Sequence, residues 1–93
     1  MELLDFSEAL KELKLGKKIA RVDWYEEEMF LTLQQGSVVK GTDMRNQNAR
    51  EFYGDEEVNI APHIDMKAAD GTYVCGWLAS QTDILASDWV VLE

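Results

Sequence analysis

The chain has 93 residues, 46% of them hydrophobic and 29% charged, which fits one globular domain spanning 1–93 and excludes wholesale disorder. A chain of this size buries only about 60–65% of its unfolded surface, so it holds one modest core but not a core plus a deep private cavity. Eighteen acidic residues against nine basic ones give a formal charge of −9, a field that repels phosphates and argues against a DNA or RNA polymer as partner, though not against an anion site built from backbone N–H groups and a local cation.

Phe6, Ala9, Leu10 and Leu13 follow the spacing of one apolar helix face and predict a helix over 5–15. Asp5 and Glu8 stand in capping-box spacing, Lys11 and Lys14 suit the C-terminal dipole, and Gly16 is the stop. Lys17 to Val22 alternates as a half-buried strand, Glu26-Glu27-Glu28 reads as an exposed turn, and Met29 to Leu33 is a second strand, together a hairpin from about 18 to 34. From Gln34 to Glu57 turn-forming clusters dominate. Val38-Val39 suits a short strand and residues 44–52 a short polar helix, with no single structure imposed.

Val58 to Ala61 alternates again and stops at Pro62. Ile64 and Met66 then share one sheet face, and His63, Asp65 and Lys67 the other. Ala69-Asp70-Gly71-Thr72 is a hairpin turn with Tyr73 to Trp77 as the return strand. Ile84-Leu85-Ala86 looks like a helical turn, and Asp88 to Leu92 closes the chain as a last strand. The sum is an α+β domain, an N-terminal helix packed on an antiparallel β-sheet.

Several residues carry both a structural and a functional reading. Trp24, Trp77 and Trp89 either fill core and interfaces or offer stacking surfaces for a planar ligand, with Trp24 and Trp77 the better stacking candidates. Arg21 is either a solvated strand-edge cation or a bidentate fork for phosphate. Ser80, Gln81, Thr82 and Asp83 either cap a helix or read a sugar or base edge beside the Trp77 wall. His63 with Asp65 has the composition of an acid–base pair but reads more simply as a structural histidine, and the lone Cys75 as a small buried apolar residue. No phosphate-binding glycine loop, dinucleotide fingerprint or nucleophile elbow occurs, so catalysis is not expected. No cofactor is expected either, and one histidine and one cysteine make no metal site. No apolar run approaches membrane-spanning length, and the single cysteine suits a reducing cytosol; that setting fits a virus-encoded protein in a host cytoplasm.

The pattern Gly-Lys-Lys-Ile-Ala-Arg-x-x-Trp ending at Trp24, the runs Pro62 to Lys67 and Gly76 to Asp83, and Asp88-Trp89 together resemble the Thoeris anti-defence 2 family of small phage proteins, over residues 4–34 and 58–92. The resemblance implies a homotetrameric sponge that binds a cyclic ADP-ribose isomer between protomers without cleaving it. Some members also bind cyclic oligonucleotides, an activity this sequence leaves open. Motif positions and residue chemistry together nominate Arg21, Trp24, Asp65, Met66, Trp77, Ser80, Gln81, Thr82 and Asp83 as ligand-binding residues. A competing reading, from charge alone, is an acidic DNA mimic or inhibitor that binds a host defence protein.

Overall fold

A computed structural model describes residues 2–93. Helix α1 (Phe6–Lys14) begins at Asp5, whose carboxylate accepts from the Glu8 N–H at 2.8 Å while the Glu8 side chain accepts from the Asp5 N–H at 3.0 Å. Both halves of the expected capping box are therefore formed, satisfying two backbone donors that a helix start leaves unpaired. The helix ends at Leu15, and Gly16 takes φ +96°, a conformation that costs a glycine nothing.

The main sheet has five antiparallel strands: β1 (Lys18–Arg21), β2 (Phe30–Gln34), β5 (His63–Lys67), β6 (Tyr73–Val74) and β7 (Trp89–Leu92), in the order β6-β5-β2-β1-β7. Ala9 and Leu13 of the helix meet Ile19, Leu31 and Trp89 of the sheet in a fully buried core, with Leu4, Phe6 and Met66 packed around it. Leu4 also pairs with Trp89 through two backbone hydrogen bonds of 2.8 and 3.0 Å, so the segment before the helix extends the sheet past β7. Strand β1 is buried on both faces at Ile19 and Ala20, because it lies inside the sheet between β2 and β7. Its polar–apolar alternation nonetheless suggested a half-buried strand.

The middle of the chain forms a projecting arm. Strands β3 (Ser37–Lys40) and β4 (Glu57–Ile60) pair only with each other and carry a short 3-10 turn (Gly41–Asp43) and helix α2 (Gln47–Tyr53) at their far end. The β3–β4 register continues that of β2–β5, from Gln34 opposite His63 to Ser37 opposite Ile60. The arm is thus the outer half of one long hairpin, interrupted at a neck where Gly36 lies against the Ile60 carbonyl and Pro62. Gly41 is buried inside the arm, where a Cβ would lie 2.5 Å from both the Gly54 oxygen and the Tyr53 Cβ. This projection stretches the molecule to 48 × 26 × 25 Å, with a radius of gyration of 15.9 Å; a compact chain of this length would have about 12–13 Å.

The Asp70-Gly71 turn closes β5 onto β6. The Asp70 carboxylate accepts from both the N–H and the hydroxyl of Thr72, and Gly71 takes φ +90°. The return strand is shorter than expected. It stops at Val74, because the Gly76 N–H turns to the Asp65 carboxylate at 2.9 Å, with Gly76 at φ +95°, and Cys75, expected to be buried, is exposed because it lies past the strand end. Trp77 then rejoins the ladder through its N–H to the Ile64 carbonyl, 2.7 Å away. Helix α3 (Gln81–Ile84) replaces the expected turn at 84–86; it starts earlier because Ser80 caps it, its hydroxyl accepting from the Asp83 N–H at 3.1 Å.

Candidate functional site

The candidate site assembles where β1 ends beside the stretch from Trp77 to Trp89. Trp89 is fully buried, as expected of a structural tryptophan, and is surrounded by aromatic rings. Phe6 lies 5.2 Å from it, Trp24 5.3 Å and Trp77 6.2 Å between ring centroids. Trp24 and Trp77 meet edge to face at 6.5 Å and are each half-buried, so part of each ring packs and part stays accessible. The two readings of these tryptophans therefore coexist on the same side chains.

Arg21 ties Asp88, the residue before Trp89, to Asp83 of α3. Its Nε donates to Asp88 Oδ1 at 2.9 Å, its Nη2 to Asp88 Oδ2 at 3.3 Å and its Nη1 to Asp83 Oδ1 at 3.0 Å. These bonds, Asp88 foremost, raise the guanidinium above its already high ordinary pKa. One guanidinium against two carboxylates leaves the cluster net negative. A diphosphate at this end would face repulsion, whereas ribose hydroxyls and a base amine would find acceptors.

Asp83 is fixed at three atoms. Its N–H bonds Ser80, its carboxylate bonds Arg21, and its carbonyl accepts from the Trp89 indole N–H at 2.9 Å. Ser80 thus has its capping role, and Gln81 and Thr82 lie exposed in the first turn of α3. Met66 packs against the core on the helix-covered face. Asp65, its neighbour in the strand, falls on the opposite face, opposite Thr32, with 1% exposure. Its carboxylate is held by the Gly76 N–H and faces His63 Nε2 at 3.4 Å, while His63 Nδ1 lies 3.0 Å from the Ala61 carbonyl. Trp24 and Trp77 therefore meet each other, while Arg21, Asp83 and Ser80 form a second contact group; Trp89 links the two, ring to ring on one side and by its indole N–H to the Asp83 carbonyl on the other, and Asp65 connects to Trp77 through Gly76 and the backbone.

Two residues escaped the sequence reading. Phe6 looked like an ordinary helix-face residue but contacts two of the tryptophans. Asp88 looked like the start of a strand but is Arg21's two-toothed partner. The signal for Asp88 was its place just before Trp89, which the β1–β7 register sets opposite Arg21.

Beside the wall, Leu78, Ile84 and Leu85 are exposed by 93%, 45% and 78%. All three lie within residues 78–85, on and next to α3. A separate open groove runs along α1 and β7, between Lys11, Glu12, Lys18, Phe30 and Leu92, and includes none of the nine nominated residues. Among the described residues, no group of three or more His, Cys, Asp or Glu side chains is placed to hold a metal ion. No helix among them is long and apolar enough to cross a membrane.

A helix-backed antiparallel sheet with an aromatic wall and a capped polar turn at one end defines a small α+β domain. The model of the Thoeris anti-defense 2-like domain matches residues 4–92, the arm included. The chain is also 33% identical over 92 residues to Thoeris anti-defense 2 of Bacillus phage SP01, a match covering 97% of this chain and 96% of that protein. The chain belongs to the Thoeris anti-defense 2 family.

Proposed function

We propose that this protein counters Thoeris defence by binding a cyclic ADP-ribose-type nucleotide and holding it without cleaving it, in pockets completed between the protomers of a homotetramer. The observation that carries this reading is the Trp24–Trp77 pair and the Arg21–Asp83 ion pair, joined through Trp89, in a chain of this family. The exposed parts of Trp24 and Trp77 supply stacking surface for the adenine. Asp83, with Ser80, Gln81 and Thr82, faces the ribose or base edge as hydrogen-bonding partners. Met66 backs the wall from the core side, and Asp65 supports it by holding Gly76. The exposed Leu78, Ile84 and Leu85 supply the subunit contact that closes each pocket.

Sequestration needs sub-micromolar affinity, more than about 8 kcal/mol of binding free energy. Calorimetry with cyclic ADP-ribose and its ribose-linked isomers tests the reading directly, and no binding at tens of micromolar would sink it. Heat-denaturing the complex and chromatographing the released nucleotide separates holding from cleavage; the expected result is full recovery of intact ligand. Parallel titration with cyclic dinucleotides decides whether the same chain also takes that class.

A further inference from the structure

We infer that Arg21 is a positioning residue: with Asp88 it forms a clamp that fixes the Asp83 carboxylate at the pocket, and it does not itself grip the ligand's phosphate. The inference rests on the binding site proposed above.

Three of the five guanidinium N–H groups are committed to carboxylates of the same chain, two of them to Asp88 in a paired fork. The fork is anchored at both ends. Arg21 closes β1, and Asp88 accepts the Val22 N–H through its own carbonyl at 3.0 Å, so the backbones that carry the two side chains are themselves joined. The remaining contact, Nη1 to Asp83, then sets where that carboxylate points. Asp83 has its N–H on Ser80 and its carbonyl on the Trp89 indole, so the clamp fixes the first turn of α3 against the tryptophan wall. An arginine suits this task because its rigid planar fork reaches two carboxylates at once; a lysine offers a point charge that cannot hold both in register.

The alternative, direct phosphate contact, predicts the opposite response to losing Asp88. Removing a competing carboxylate would free the guanidinium and strengthen phosphate binding, and Arg21→Lys would keep much of the affinity, since lysine binds phosphate well. The clamp predicts that Asp88→Asn and Arg21→Lys each weaken binding at least fivefold. The double variant should be no worse than about the weaker single one, because both changes break one device. Asp88→Glu, which keeps the charge on a longer arm, should recover part of the loss.

The experiment titrates wild type and these four variants with cyclic ADP-ribose and its ribose-linked isomers, and follows the Trp89 indole N–H by NMR in the ligand-free proteins. With the clamp broken, that proton shifts and exchanges with solvent at least tenfold faster, since the carbonyl it bonds to belongs to Asp83. Equal or tighter binding by Asp88→Asn would overturn the inference, as would an unchanged Trp89 indole in both single variants. If wild type binds none of the nucleotides, the sequestration reading fails while the indole signal still decides whether Arg21 and Asp88 fix Asp83. Should Asp88→Asn not fold, Arg21→Lys and Asp88→Glu give the same two readouts.

Discussion

The Trp89 indole N–H donates to the Asp83 carbonyl at 2.9 Å, so the most deeply buried aromatic ring in the core also holds the polar turn of the candidate pocket. Core stability and site geometry meet in this one bond. Trp89→Ala should cost about 3–5 kcal/mol, the range for deleting a large buried aromatic. In a domain of this size that is a large share of total stability. Trp89→Phe should retain most of the packing but lose the bond to Asp83. Urea denaturation of both variants, with ligand titration of the phenylalanine form, checks the two effects separately.

Trp24→Ala should weaken nucleotide binding by about 1–3 kcal/mol, the range for losing one stacked base. Its edge contact with Trp89 means that the variant also melts at a lower temperature. The quantity to compare is therefore the rise in Tm on adding ligand. A rise equal to that of wild type would remove Trp24 from the pocket. Asp83→Ala should reduce the rise in the same way while leaving the assembly intact.

Gly41→Ala should loosen the arm. The added methyl meets backbone and Cβ atoms at 2.5 Å, with no flexible side-chain end to move aside. Overpacking of this kind costs about 1–3 kcal/mol. Hydrogen exchange should quicken across residues 37–60, leaving α1 and the five-stranded sheet protected. Uniform deprotection of the whole chain would instead show that arm and body unfold as one unit.

Acid should weaken the helix start and the Asp70 turn together. The Glu8 N–H, aided by Ser7, lowers the Asp5 pKa below 3.8, and the Thr72 hydroxyl and N–H lower Asp70 likewise. A carboxyl group lowered in the folded state contributes stability that is present above its unfolded value and lost as pH falls through the folded one. Tm should therefore fall between pH 5 and pH 2 by less in Asp5→Ala and Asp70→Ala than in wild type. Parallel curves for all three proteins would show that neither group contributes.

Light scattering at micromolar concentration should give a mass near four times 10.6 kDa. Replacing the exposed Leu78 and Leu85 with serine should reduce that mass and the nucleotide affinity together, because pockets completed between protomers require the neighbour. A monomer that still binds tightly would separate the pocket from the assembly.

How legible each element was depended on how local its physics is. Asp5 and Glu8 lie three residues apart and Asp70 and Gly71 are adjacent, so the helix start and the turn could be read directly. The short strand at Val38-Val39, the polar helix and the strand from Val58 were also legible, but their joining into an arm was not, because the strands continue the β2–β5 pairing past a glycine and a proline, and that continuity is visible only in the register. Trp24, Trp77 and Asp83 could be nominated from residue chemistry and family motifs. Arg21's commitment to Asp88 could not, since 67 positions separate them and only the β1–β7 pairing brings them together. The return strand was overestimated because Gly76 satisfies a buried carboxylate, and nothing in its alternation signals that demand.

Pairing β1 with β7 also sets when the protein becomes competent during synthesis. The β2–β5 hairpin and the Asp70 turn can form from neighbouring sequence, but joining Val22 to Asp88 must close a loop through most of the chain, a slower and entropically costlier step. Until residues 88–92 have left the ribosome, Ile19 and Leu13 lack their Trp89 neighbour and Arg21 lacks the Asp88 fork. Binding capacity should therefore appear abruptly with the final strand, and a nascent chain stalled before Asp88 should expose its apolar core to chaperones and capture no nucleotide.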